Sequence, residues 1–263
     1  MKIAIVIFNW NYGKFLEVLL DKMQFFYNDK SYTVHVCDDG SSDNSLEICE
    51  KYISEKKIRN ITIHKKNKVN KGRSKPYLGQ LENLENIYRN GSLDRCDYIW
   101  LMDADDYMDS QFFGIDFKRS LCGLDVAFTK VINKDENSES VMNIKRKANS
   151  DISIWPTISV TSSIIIAKHF LDSHCHLIFN YNKIYDDVWL DSRINMIASK
   201  IKNSKVSYID FNVYRVIHSS NDSARMPLTR RLEKQIKSNN YFTLVCSNKK
   251  PFNIRTKILD ILF

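Results

Sequence analysis

The first hundred residues alternate short apolar runs with helix-spaced apolar stripes, and that order leaves few architectures open. Ile3–Ile7, Thr33–Cys37, Ile61–His64 and Tyr98–Met102 have the length and character of buried strands. Between them, Phe15, Leu19, Leu20, Met23 and Tyr27 recur at helical spacing, as do Leu46, Cys49, Tyr52 and Ile53, and then Leu78 to Tyr88. Ser42 or Asp43 is placed to cap the second of these helices. A β-α-β-α order predicts a mostly parallel central sheet covered by helices. Ligands of such sheets sit beyond the carboxyl ends of the strands. Here those ends read Asn9-Trp10-Asn11, Asp38-Asp39-Gly40-Ser41 and Asp103-Ala104-Asp105. All three are polar, and all are predicted to meet at one edge.

The second half is less regular. Its pattern predicts a helix near Asp109–Phe117, a strand over Leu124–Ile132 and a polar excursion over Asn133–Asp151. A strand over Ile158–Ala167, a short helix near His169–Ser173, a helix over Val188–Ala198 and strands at Val206–Ile209 and Val213–Ile217 follow. From Arg225 to Phe263 the chain is basic and predicted helical, with a break at Pro251. The expected organisation is 1–224 as one catalytic domain, split near residue 106 into nucleotide-binding and acceptor-binding halves, with 225–263 as a basic helical extension.

Composition narrows the function classes. With 43% hydrophobic residues in 263, a sizeable core is expected, and seven Gly and four Pro argue against a linker-rich chain. No apolar run approaches membrane-spanning length. The start of the chain enters a strand without a signal-peptide cleavage pattern. The six cysteines show no paired spacing, so neither a zinc site nor a disulfide framework is expected, and a cytoplasmic setting fits. The net charge of +8 makes nucleic acid, anionic membrane and phosphorylated small molecules candidate partners. Basic residues gather in Lys65–Lys75, Lys145–Lys147 and from Arg225 onward, whereas the acids gather in the short motifs. This segregation suits an acidic pocket on a basic body. The chain carries no helix-turn-helix, zinc-finger or RNA-sheet signature, so nucleic acid is not the expected partner.

Asp103-Ala104-Asp105 places two acids on the same side of a chain leaving the core, since strand side chains alternate. Clustered carboxylates repel one another and persist best around a cation. The competing reading is an acidic cap, with Asp105 or Asp106 starting the next helix. Asp38-Asp39-Gly40-Ser41 is either a nucleotide-binding turn or an ordinary polar one, with Asp43 as a helix cap. Lys71, Arg73 and Lys75 around Gly72 would suit phosphate oxygens, or form a solvated basic loop.

In this order and spacing the motifs resemble those of the family-two glycosyltransferases, inverting enzymes of the nucleotide-sugar-binding GT-A fold. The matching elements are Asn9-Trp10-Asn11 with Phe15-Leu16, Asp38-Asp39-Gly40-Ser41-Ser42-Asp43, Asn70-Lys71-Gly72, Asp103-Ala104-Asp105-Asp106 and Asp186-Asp187. The last departs from the family's usual Glu-Asp. The resemblance runs from about Lys2 to His218. It implies a donor site in which Asp38 and Asp39 receive the nucleotide base, with Asn9 and Asn11 beside them and Arg73 near the diphosphate. It implies that Asp103 faces the ribose and metal shell and that Asp105 ligates Mn²⁺ or Mg²⁺, with His218 completing that site or standing as a surface histidine. Asp187 is the implied general base and Asp186 its support, unless both merely cap a helix.

The implied activity is transfer of a sugar from a nucleotide donor, a UDP-sugar, to a hydroxyl of a glycan or lipid-linked glycan in surface polysaccharide synthesis. A sugar nucleotidyltransferase, a nucleic-acid-binding protein and a non-catalytic binding protein are the alternatives. The first of these ordinarily needs a Gly-rich, Arg-bearing loop after the first strand, which Asn9–Lys14 lacks. Trp155-Pro156-Thr157 and Thr161-Ser162-Ser163 fall where the family shapes its acceptor pocket, although core packing suits Trp155. Ile254, Ile258, Leu259, Ile261 and Leu262, beside Arg255 and Lys257, form a basic amphipathic segment. Such a segment can lie on the inner face of a membrane, dock a partner helix or simply pack. The test of all this is whether Asp39, Asp105 and Asp187 line one cleft.

Overall fold

A computed structural model describes residues 1–27, 29–66, 78–142, 159–218 and 228–246. Four parallel strands form the first half of one curled mixed sheet: β1 (Ile3–Asn9), β2 (Tyr32–Asp38), β3 (Ile61–Lys65) and β4 (Tyr98–Asp103), in the order β3-β2-β1-β4. Helices α1 (Gly13–Lys22), α2 (Ser45–Glu55) and α3 (Leu78–Arg89) connect them. All seven residues of β1 are buried, as expected for a central strand with helices over both faces. β3, at the sheet edge, is half-exposed.

Beyond β4 the sheet turns mixed. β8 (Ile164–Ala167) runs antiparallel to β4, and β6 (Val126–Lys134) antiparallel to β8. β9 (Val206–Val216) lies parallel to β6, and the short β5 (Tyr107–Met108) closes the row. Within the expected polar excursion, β7 (Glu139–Val141) folds back on β6 as a hairpin.

The strand expected over Ile158–Ala167 is strand only from Ile164, after a 3₁₀ turn at Thr161–Ser163, and three further segments differ from the sequence pattern for local reasons. The helix expected near Asp109–Phe117 is a 3₁₀ turn at Ser110–Phe113 followed by α4 (Ile115–Leu121), because the backbone at Gly114 is extended between them. The two strands expected between Val206 and Ile217 are one: Thr129 pairs with Ile209 but Lys130 with Asn212, so Asp210 and Phe211 bulge out of the ladder. Phe211 then packs on Phe112 and Phe117. The short helix near His169 extends as α5 (Lys168–Ile178).

Helix α6 (Leu190–Lys200) is fixed by Arg193, which is fully buried. Its guanidinium donates to the carbonyls of Val188, Ile178, Asn180 and Tyr185, fastening the loop that carries Asp186 and Asp187. The guanidinium also lies 5.2 Å from the ring centroid of Tyr241 on α7 (Leu228–Val245). Tyr241 and Phe242 are fully buried, so the described part of the basic C-terminal segment is a packed helix of the body. No helix among the described residues is long and apolar enough to cross a membrane. The amphipathic segment from Ile254 lies outside the described residues.

Candidate active site at the strand ends

The carboxyl ends of β1, β2 and β4 open on one cavity, lined among others by Asn9, Trp10, Asp39, Asp103, Asp105 and Asp106. The strand order accounts for this convergence: β1 pairs with β2 on one side and β4 on the other, in register to their last residues.

At the β2 end most of the motif is scaffold. Asp38 is fully buried and accepts hydrogen bonds from Asn9 Nδ2 (2.7 Å), Ser41 Oγ (2.6 Å) and the amides of Gly40 (3.0 Å) and Ser41 (2.8 Å). Asn11 sits at φ 58°, in the left-handed region, and its Oδ1 accepts the amides of Ser42 (2.7 Å) and Asp43 (3.2 Å). Asp43 in turn accepts from the amides of Gly13 and Ser45, tying the starts of α1 and α2 together. A Cβ on Gly13 would lie 2.6 Å from Asn44 Oδ1, so a larger residue there would have to displace the Asn44 side chain. Asp38 and Asn11, expected to contact a nucleotide, are engaged in shaping this turn.

Asp39 points the other way. It lines the cavity and is held by Lys66 Nζ at 2.6 Å, which also reaches Glu82 at 3.0 Å. Asn9 Oδ1 is buried and has no hydrogen-bond partner among the described residues, a costly state for an amide oxygen unless a ligand donates to it.

At the β4 end, Asp103, Asp105 and Asp106 bring carboxylate oxygens within 4.8 Å of one another. Burial, then repulsion by Asp105 and Asp106, raises the Asp103 carboxyl well above the ordinary range. Burial, then Asp105, pushes Asp106 up to about 8. Oxygen donors crowded in this way fit a hard divalent cation, which would remove the repulsion.

Asp106 does not cap the following helix; Asp109 caps the 3₁₀ turn instead. Asp106 ties the turn before β8 to the end of β9, accepting from Ser162 Oγ (2.6 Å) and the Val216 amide (3.1 Å). His218 Nε2 lies 2.9 Å from Asp105 Oδ2, and its ring stacks on Phe15 at 4.5 Å between centroids. The late histidine thus joins the acidic cluster. Asp103 is oriented by Gln80 Nε2 at 2.6 Å.

The two acids before α6 separate. Asp186 pairs with Lys237 of α7 at 2.5 Å. Asp187 is 2% exposed; its Oδ1 has no hydrogen-bond partner among the described residues, and it is not among the cavity-lining residues. Asp191, one helical turn on, does line the cavity, as do Trp189, Thr161 and Arg215. Sequence reasoning placed Thr161 at an acceptor pocket but passed over Asp191, Trp189 and Arg215. For Asp191 the usable signal was its place in the first turn of the expected helix, four residues after Asp187. Arg215, whose charge offsets the fields of Asp103, Asp106 and Asp191, gave none beyond its nearness to His218. Arg73, with Lys71, Gly72 and Lys75, lies outside the described residues, as does Trp155.

Comparison with known proteins agrees with this geometry. Residues 4–75 match the model of glycosyl transferase family 2. No curated protein matches the chain. Among solved structures, Staphylococcus aureus TarS 1-349 in complex with UDP superposes with a TM-score of 0.61 at 14% identity, covering 98% of this chain and 68% of that one. Its complex with UDP-GlcNAc gives 0.60 at 14%, covering 98% and 69%. The mannosyltransferase PcManGT from Pyrobaculum calidifontis, in complex with GDP-Man and Mn²⁺, gives 0.62 at 11%, covering 95% and 66%. The fold is GT-A, and the resemblance to family-two glycosyltransferases read from the motifs is borne out over residues 4–75.

Proposed function

We propose that this chain, with its family-two N-terminal part and GT-A fold, is an inverting, metal-dependent glycosyltransferase that moves a sugar from a UDP-sugar to a hydroxyl of a glycan or lipid-linked glycan. A role in surface polysaccharide synthesis, at the inner face of a membrane, suits that acceptor class and the basic charge. One observation carries the reading: Asp39 and the carboxylates of Asp103 and Asp105 come from different strands and face one cavity. TarS, of the same fold, is seen with UDP and UDP-GlcNAc, and PcManGT with GDP-Man and Mn²⁺.

In this reading Asp39, oriented by Lys66, accepts the ring N–H of the base, and the orphaned Asn9 Oδ1 receives a second donor from the nucleotide. Asp103, Asp105 and His218 would hold Mn²⁺ or Mg²⁺, which when bound stabilises charge on the departing diphosphate. Arg215 supplies a fixed cation at the same place. Asp187 is the general base. Asp187 is buried and does not line the cavity, so in this reading the acceptor's hydroxyl gains access to it on binding. Its unpartnered Oδ1 then accepts that hydroxyl and takes the proton as the hydroxyl oxygen bonds to the anomeric carbon, and the nucleoside diphosphate leaves from the opposite face with the bonding pair. Asp186, paired with Lys237, holds the loop.

A thermal-shift series with UDP, GDP, UDP-GlcNAc and GDP-mannose, each with and without Mn²⁺, tests the reading. Mn²⁺-dependent stabilisation by one base is expected. A folded protein indifferent to all four would overturn it.

A further inference from the structure

The order of strands along the rim fixes a direction for the donor. Asp39 directly follows β2, Asn9 ends β1 and Asp103 ends β4, and these strands are neighbours in that order. The next neighbour, β8, runs antiparallel, so the turn that enters it, Thr161–Ser163, stands beside the exit of β4. Trp100 Nε1 and the Asp103 amide both bond to Ser162 and lock that turn against β4. A base at Asp39 and a diphosphate at Asp103 and Asp105 therefore send the sugar past β4, toward Thr161 and whatever covers it.

What covers it is the start of α6. Asn195 Nδ2 bonds the Ser159 carbonyl at 3.3 Å, seating α6 on the segment that leads into the turn. Trp189 and Asp191 line the cavity on this side, with Val160 and Thr161. Lys234 of α7 places its ammonium 3.4 Å from the centroid of the Trp189 ring, and its charge also acts on Asp191. An indole beside a carboxylate and a hydroxyl is the chemistry that holds a pyranose: the ring packs on apolar C–H groups and the oxygens accept from hydroxyls.

We propose that Trp189 and Asp191 form the subsite for the transferred sugar, that Lys234 positions them, and that the sugar is a neutral hexopyranose. This rests on the glycosyltransferase reading above. Asp39, Asp103, Asp105, Asp106 and Asp191 line the same cavity with Arg215, and Asp191 and Asp103 repel each other, so a uronate carboxylate would add to a wall in which carboxylates already outnumber that cation. Asp186 and Lys237 stay outside the subsite, engaged with each other.

Calorimetric titration of the full chain with Mn²⁺ and UDP, UDP-glucose, UDP-GlcNAc or UDP-glucuronate tests the inference, with GDP and GDP-mannose run in parallel. The wild type is expected to bind a neutral sugar nucleotide more tightly than the bare diphosphate, and the glucuronate conjugate more weakly. Asp191→Asn and Trp189→Ala should each remove about tenfold of the sugar-dependent affinity, the usual size of one or two lost polar or packing contacts. Their affinity for the bare diphosphate should stay within about twofold. Lys234→Met should weaken sugar-nucleotide binding in the same selective way, and Lys234→Arg should restore it.

If Trp189→Ala fails to fold, Trp189→Phe, which keeps a ring without the indole, and Asp191→Asn carry the measurement. Equal losses for diphosphate and sugar nucleotide, or none, overturn the subsite, as does preferred binding of the glucuronate. A wild type that binds no nucleotide overturns the underlying reading instead, so the two failures are told apart.

Discussion

The two sides of the cavity are built on different principles. On the β1–β2 side, the conspicuous motif residues satisfy one another: Asp38 accepts from Asn9, Gly40 and Ser41, and Asn11 organises Ser42 and Asp43. On the β4–α6 side, acids crowd together, and what balances them comes from afar: His218 on Asp105, Lys237 on Asp186, Arg215 and Lys234 among the rest. The first side is a rigid turn that exposes one carboxylate. The second is an electrostatically strained pocket that becomes comfortable only with a cation and a substrate in it. A motif residue is therefore not by itself a contact residue, and the first side shows why.

The largest effects should come from the strained side. Asp105→Asn is expected to lower transfer by about 10³-fold or more, since a cation site of this kind supplies several kcal/mol to the leaving group. Asp187→Asn should lower it by about 10²–10⁴-fold, the usual contribution of a general base. Both should leave the circular dichroism spectrum and melting temperature near those of the wild type. Normal turnover by either variant would take that residue out of its role.

On the satisfied side the same kind of change should read out as stability. Asp38→Ala strands the donors of Asn9, Gly40 and Ser41 in a buried turn, which should cost about 3 kcal/mol in urea unfolding. Asp39→Ala should leave the urea midpoint almost unmoved and lose the nucleotide's thermal shift. If Asp39→Ala destabilised as much as Asp38→Ala, the division between scaffold and contact would be wrong.

The same division explains what could be read from the residues alone. The parallel half was legible because strand ends, turn chemistry and helix caps are all local: Ile3–Ile7 followed by Asn9-Trp10-Asn11 announces a strand and its rim. Asp103, Asp105 and His218 could be gathered because the motif resemblance supplied a partner list that spacing does not. Asp191, Trp189, Arg215 and Lys234 stayed hidden because nothing local distinguishes them from helix and strand surface. Their meaning depends on α7 folding back on α6, a contact between segments with no shared pattern. The role of Asp106 was missed for the same reason, since its partners Ser162 and Val216 lie 56 and 110 residues away.

A smaller effect separates the halves by pH. His35 on β2 and His64 on β3 face each other at 3.0 Å, and burial followed by the His64 charge lowers His35 to about 4. A histidine whose folded value lies below its unfolded one stabilises the fold when neutral. The unfolded chain then takes up the proton first as pH falls below about 6.5, and stability drops from there toward about 4. Between pH 7 and pH 5 this group's own loss should be roughly 1–2 kcal/mol, read as the difference in urea midpoint between wild type and His35→Gln, because the raised carboxyls of Asp103 and Asp106 gain stability over the same range. If that difference did not change with pH, the titrating group would lie elsewhere.

The gentlest test concerns whether α7 belongs to the chemistry or only to the wall. Lys237 meets Asp186 at 2.5 Å and Glu233 at 3.0 Å, with the Lys237 and Asp186 side chains only 15% and 17% exposed. The helix is also anchored by Tyr241 and Phe242, both fully buried, and the Tyr241 hydroxyl donates to the Leu177 carbonyl at 3.1 Å. That apolar anchor keeps α7 in place when the ion pair is removed, so Lys237→Met should cost about 1 kcal/mol, a little above an exposed pair because Asp186 loses its counter-ion while partly shielded. Turnover should stay within about threefold of the wild type if Asp186 merely holds the loop and the base is elsewhere. A loss of 10²-fold with the urea midpoint unchanged would put Asp186 at the reacting hydroxyl. The satisfied ion pair would then be a resting state that substrate has to break.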